Sequence, residues 1–394
     1  GFSTSDSANG NTVVINSAEG NLNGIIRGAS VLNGNAASQN TIYINLGGQG
    51  NSVLRLDNAP SNGNSIESDE TDGSIAGASS AYGTLSDNQV VIEDSYVQSG
   101  SIYGAFQADR GNATTQNSLD NNLVWIRNSL IETGIPGKSN KNDKNLFAAY
   151  IALGPGSNAV DRDVTAVGSN NILIIDQNSE VVFNQMGGFI GAPNFYPPNT
   201  GSVQAISNGI YIDNATLKRN ANETNGFIYG QLVLDGCNTL GSLDGSSLDG
   251  FVRIQNSKID LDTTSGFIIS AAFNGSTLKS NRVVLINTDI EAKGSDKLTI
   301  YGAYGRVRVK DLKPLVLQNN AIYFDHLTLS GDQARWGLLY AAYGWGLNFE
   351  NTLLPSAELS GNSITIINQS TIKHSTLLAA WLTNGGQAHD FTST

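Results

Sequence analysis

Asn88-Gln-Val-Val-Ile92, followed a few residues later by Gly100-Ser-Ile-Tyr-Gly-Ala105, decides the fold, because both phrases return along the whole chain. The first recurs as Asn-x-[Val/Ile]-x-[Ile/Leu/Phe] from Asn11, Asn40, Asn122, Asn170, Asn208, Asn281, Asn320 and Asn362, and a further copy opens on Gly250. The second recurs loosely at Gly28-Ala29, Gly77-Ala78, Gly191-Ala192, Phe227-Ile-Tyr-Gly230, Ile300-Tyr-Gly-Ala303 and Leu339-Tyr-Ala-Ala342. Repetition at this scale marks a solenoid. No stretch sustains the i, i+3, i+4, i+7 spacing of an amphipathic helix, whereas short alternating runs are everywhere. The expected fold is therefore all-β, a single-stranded parallel β-helix occupying residues 1–394 as one domain.

The strand phrase advances by a mean of 39 residues per copy, and the Gly-Ala element follows roughly half a step later. Taken as two turns of about 20 residues, this spacing predicts roughly 20 coils and a rod about 95 Å long at the usual strand separation. Insertions near 58–74, 134–145 and 193–200 interrupt the rhythm and are expected to form loops.

Successive residues of a strand point to opposite sides, so Asn, Val and Ile of Asn-x-Val-x-Ile share one face. The apolar pair fixes that face as the interior, with the asparagines stacked amide on amide. The second intervening position faces out: Val14, Tyr43, Val91, Trp125, Leu173, Tyr211, Arg253, Val284, Tyr323 and Thr365. A line holding Trp125, Tyr211, Arg253 and Tyr323 is either a binding surface or a face covered by a long loop.

Charge sharpens the picture. Only 14% of residues are charged and the net charge is −12, which opposes general nucleic-acid binding. Ten of the 22 Lys and Arg residues fall between Arg253 and Lys313, a window of net charge +4 in a chain that is otherwise −16. Within it, Arg306-Val-Arg-Val-Lys310 alternates, placing three cations on one side of a strand. Arg253, Arg282, Arg306, Arg308, Lys310 and Lys313 suit carboxylate or sulfate groups along an extended polyanion. A solvated edge accounts for the same pattern. Beyond the window, Trp336, Tyr340, Tyr343, Trp345 and Phe349, with Trp381 later, either stack on sugars or cap the end of the core.

Catalytic signals are sparse. Asp161-Arg-Asp163 and Asp260-Leu-Asp262 each put two acids on one side of a strand, the minimum for glycoside hydrolysis or a Ca²⁺ site. His326, His374 and His389 share no metal or triad spacing. The sequence has no phosphate loop, CxxC or Gly-Gly-x-Gly-x-Asp repeat, so no cofactor or metal is expected. Cys237 is the one cysteine, which excludes an intramolecular disulfide. The chain opens at Gly1-Phe-Ser with no basic or apolar leader segment, so any export signal is expected to have been removed already, and its longest apolar runs are far too short to cross a bilayer.

Asn-x-Val-x-Ile followed by Ile-Tyr-Gly-Ala resembles the passenger domains of Gram-negative autotransporters, the AIDA-type adhesins in particular. That resemblance covers nearly the whole chain and implies a right-handed parallel β-helix displayed on the cell surface by an outer-membrane β-barrel. It supplies no catalytic residue. The expected function is adhesion to host glycosaminoglycan-like glycans or matrix glycoproteins, with the six cations named above supplying charge and Trp125, Tyr211 and Tyr323 supplying stacking surface. The alternatives are a β-helical polysaccharide lyase or hydrolase, and a rod that self-associates in aggregates or biofilm.

Overall fold

The structure is a computed structural model that describes residues 2–3, 7–17, 20–31, 36–48, 52–57, 74–109, 115–134, 145–153, 163–191, 200–219, 226–233, 243–262, 266–293, 298–308, 314–331, 337–347, 357–373 and 375–384. The expected loops fall almost wholly outside these residues. So do Cys237, Asp161, Lys310, Lys313, Trp336, Phe349, His374 and His389.

The described residues form three parallel sheets of 11, 9 and 18 strands, here sheets A, B and C, with no helix. This is a parallel β-helix. Sheet C carries the Asn-x-Val-x-Ile phrase and, after a sharp turn, a second short strand. Sheet A carries the Ile-Tyr-Gly-Ala phrase, and sheet B leads back to the next asparagine. Consecutive copies of the phrase are hydrogen-bonded neighbours: Val90 lies in register with Ile42 on one side and Val124 on the other. One repeat of about 39 residues is thus one coil, and the first strand of sheet C is stacked ten deep. The expectation of roughly 20 coils is corrected accordingly, and the rod is about 45 Å long. The Gly-Ala element is another side of the same coil, not the start of a new one.

Two columns of left-handed residues bend the chain at fixed places. One precedes each interior asparagine, or Gly250 in the coil that lacks one (Gln39, Asp87, Asn121, Asn170, Ser207, Asp249, Ser280 and Asn319, φ 53–58°). The other joins the two strands of sheet C, at Asp94, Asn128, Asn214, Asn256, Asn287 and His326 among others. Short polar side chains tolerate this region at the least cost after glycine. The pattern corrects one reading: Asn170 is the turn residue, and Asn171 is the interior one. Leu173 is consequently buried, and Ile174 takes the outward position between Trp125 and Tyr211.

The interior asparagines form a buried ladder. Asn88 Nδ2 donates to the Ala37 carbonyl at 3.0 Å and to Asn122 Oδ1 at 3.0 Å. Its Oδ1 accepts from the Asn40 backbone N–H at 3.2 Å and from Asn40 Nδ2 at 2.8 Å. Every polar atom of the amide is therefore paired, which is what makes its burial tolerable. The ladder continues through Asn122, Asn171 and Asn208, and again from Asn281 through Asn320 to Asn362. At the gap, Gly250 stands where asparagine is expected. Gln231, reaching in from sheet A, accepts from Asn208 Nδ2 at 2.9 Å and donates to Asn281 Oδ1 at 3.2 Å. A Cβ on Gly250 would lie 2.5 Å from the Gln231 amide nitrogen, so glycine is required beside the replacement.

A second ladder runs behind the sheet C turn, where Ser95 Oγ accepts from the Leu46 N–H, Ser129 Oγ from the Ser95 N–H and Ser179 Oγ from the Ser129 N–H. Around these seams, stacked Ile, Val and Leu fill the interior, with Ile42, Ile44, Val90, Ile92, Val124 and Ile126 fully buried. Each such side chain contributes about 1.5–3 kcal/mol.

Candidate functional site on the outer face of sheet C

The outward column exists as read from the sequence, apart from the Leu173 correction. Val14, Tyr43, Val91, Trp125, Ile174, Tyr211, Arg253, Val284, Tyr323 and Thr365 lie in register on adjacent coils. Their separation is one coil, about 4.8 Å, not the two coils that a 20-residue turn would give.

The members of the column are engaged to different degrees. Trp125 donates from Nε1 to Asp176 at 3.2 Å, and the Arg127 guanidinium lies 4.5 Å from its ring centroid. Arg127 also pairs with Glu93 at 3.2 Å. The Trp125 ring face is therefore covered. Tyr211 accepts from Gln255 Nε2 at 2.9 Å, and Arg253 lies 5.8 Å from its ring. Gln255 also accepts from Arg253 Nε and Nη2 at 3.1 and 2.9 Å and donates to Asp213 at 2.8 Å. One glutamine thus orients a tyrosine and an arginine together. Tyr323 stands half-buried between Val284 and Thr365.

Arg282 belongs to the neighbouring outward column, between Phe251 and Ala321. It is a diagonal neighbour of Arg253 on the next coil, a separation of about 7–8 Å. Both arginines are exposed, and neither has a carboxylate partner among the described residues. Other cations of this sheet do: Lys218 pairs with Glu180 at 2.6 Å and Lys258 with Glu291 at 3.3 Å. Arg253 and Arg282 therefore form a small uncompensated positive patch flanked by Tyr211 and Tyr323.

Arg306 and Arg308 lie elsewhere, at the end of the sheet A strand Leu298–Arg308. The Arg306 guanidinium sits 4.7 Å from the Trp345 ring, its partner in register. Arg308 is in backbone register with Leu347. The structure thus brings together five of the nine residues marked by the sequence (Trp125, Tyr211, Arg253, Arg282 and Tyr323) and puts Arg306 and Arg308 on another side of the rod.

The described members of the aromatic cluster do not close the end of the core. Tyr340 and Tyr343 stack face to face with Tyr301 and Tyr304 of the preceding coil, at 5.7 and 5.3 Å between centroids. Phe273 stacks on Tyr304 at 4.5 Å. These rings lie on the side of sheet A opposite the interior, continuing a line that includes Tyr103, Phe106, Phe147 and Tyr229. In the last coil Leu377 and Trp381 remain 44% and 39% exposed. Burial, and secondarily the neighbouring Tyr304, Tyr343 and Tyr340 hydroxyls, push the Tyr301 phenol well above its ordinary range. Tyr340 is raised for the same reasons, burial first and then Tyr343.

Of the acid pairs, Asp260 lies on sheet C in register with Lys218 and Glu291, and Asp262 and Asp163 are placed by backbone only. Among the described residues no group of three or more His, Cys, Asp or Glu converges as a metal site. The sequence reading missed Arg127 and Gln255, two positions after the outward residue of their own strands. The same alternation that selected Trp125 and Arg253 would have selected them.

No family model, curated protein or solved structure matches the chain.

Proposed function

We propose that the protein is an adhesin, a surface-displayed passenger-type rod that binds glycosaminoglycan-like or similarly acidic host glycans along the outer face of sheet C. The observation that carries this reading is the diagonal pair Arg253 and Arg282, exposed, without carboxylate partners and flanked by Tyr211 and Tyr323 on a regularly spaced sheet. Guanidinium groups present planar forks that match sulfate and carboxylate. Their delocalised charge sits in a chain whose overall balance is acidic, so attraction is local to this patch. Each charge-assisted contact is worth about 1.5–3 kcal/mol. Useful affinity for a long glycan then follows from repeated weak contacts.

The test is binding of immobilised heparin by the wild-type chain and by R253A/R282A. Binding that weakens steeply with salt, and falls about tenfold or more in the double variant, is the expected result. Retention of the variant equal to wild type at low salt would remove this reading.

A further inference from the structure

Where the two strands of sheet C meet, the left-handed turn residues of successive coils border a groove of about 350 Å³. Asn214, Asn256 and Asn287 line it from the turn column, and Thr216, Lys258 and Asp289 from the outward column of the second strands. Its wall is partly self-satisfied. Asn287 Nδ2 donates to Asn256 Oδ1 at 2.9 Å, and Asn256 Nδ2 donates to Asp213 at 2.9 Å. Lys258 is neutralised by Glu291. The side chains of Asn214 and Thr216, by contrast, have no hydrogen-bond partner among the described residues, although the turn and strand hold them in place on either side of Ala215.

From this arrangement we infer that the groove is a separate binding site for a neutral, polyhydroxylated chain, an oligosaccharide of uncharged sugars. The groove offers amide donors and acceptors and a hydroxyl in a row that repeats with the coil, about every 4.8 Å. It offers no free cation, since Lys258 is already paired with Glu291, and the Asp289 carboxylate on its wall repels anions. Hydroxyl groups accept and donate in the same way as the water they displace, and each pairs with an oriented amide without desolvating an ion. An acidic glycan would gain nothing here that it does not gain more strongly at Arg253 and Arg282. A neutral one would gain little there.

The experiment measures binding of cello-, xylo-, manno- and chito-hexaose by calorimetry, between about 0.01 M and about 1 M salt, a range over which screening lengths fall from about 30 Å to about 3 Å. The proteins are wild type, N214G/T216V and R253A/R282A. Glycine preserves the left-handed turn at Asn214, and valine keeps the shape of Thr216, so both folds are checked by their melting temperatures. At least one hexaose binds the wild type with an affinity unchanged by salt. N214G/T216V loses about tenfold, the effect of two removed hydrogen bonds, and R253A/R282A loses nothing. If none of the four binds, or if binding is equal in N214G/T216V, the inference is overturned. Loss in R253A/R282A alone would assign the sugar to the arginine patch and overturn it as well. Heparin binding by the same three proteins tests the adhesin reading separately.

Discussion

The outer faces of sheets A and C are built from the same residue types, aromatic rings and arginines stacked coil upon coil, yet they do opposite things with them. On sheet A the rings spend their faces on each other. Tyr304 and Tyr343 are nearly parallel at 6°, Tyr301 and Tyr340 at 15°, and Phe147 is fully buried. On sheet C the rings are spaced by aliphatic and polar residues, so Trp125 and Tyr211 meet arginines and amides instead of other rings. Aromatic density is what separates the two. Rings on adjacent coils find one another at stacking distance and become a second core, whereas rings two coils apart remain available to other groups. An aromatic line on a β-helix is therefore evidence for binding only where it is interrupted.

The largest effect that tests this contrast is Phe147→Ala. Removing a fully buried ring from the sheet A line should cost about 3–5 kcal/mol in denaturant unfolding while leaving glycan binding by the folded fraction unchanged. A loss under about 1 kcal/mol would show that the outer stack is not a core. Next is R253A/R282A, expected to lower heparin affinity about tenfold or more and to change stability by less than about 0.5 kcal/mol. Equal and large losses of both would erase the distinction between the faces.

Alkaline pH probes the stack without mutation. The folded pKa of Tyr301 is raised, so the proton is held more tightly in the native state. Above the ordinary tyrosine value near pH 10, the unfolded chain ionises while the native ring does not, and stability falls as pH rises. The slope is up to about 1.4 kcal/mol per pH unit for one withheld proton. Tyr301→Phe should flatten that dependence in pH-resolved urea melts, and an unchanged slope would count against a buried stack. The smallest effect is Trp125→Phe, which removes the bond to Asp176 and narrows the ring face under Arg127, and should cost about 1 kcal/mol. A cost as large as that of Phe147→Ala would make Trp125 a core residue.

Much of this was legible in the sequence, and the parts that were not have specific causes. The Asn-x-Val-x-Ile phrase exposed both the ladder and the outward column, because a two-residue period leaves no freedom about which side chains share a face. The coil count was misjudged by a factor of two. Two strand-forming phrases half a repeat apart look the same whether they lie on successive coils or on two sides of one, and only the register of Val90 with Ile42 and Val124 separates the cases. Asn170-Asn171 was placed one residue early, since asparagine suits both the left-handed turn and the buried rung. For the site, Arg253 and Arg282 were visible as part of a basic window. That Arg306 belongs to a different side depends on sheet membership, which local spacing does not encode.

The exchange at Gly250 shows that the seam demands an amide at a point in space and is indifferent to which side of the coil delivers it. Such an exchange couples two positions 19 residues apart in sequence. Placing asparagine at 250 while Gln231 remains puts two side chains in one volume. Replacing Gln231 alone by alanine takes the acceptor from one Asn208 N–H, while Asn281 Oδ1 keeps only the Gly250 N–H and the Ser247 hydroxyl. Each single step is unfavourable, while both together return the seam to its common form. The two positions are thus energetically coupled, and a chain altered at one of them alone is expected to be less stable than one altered at both.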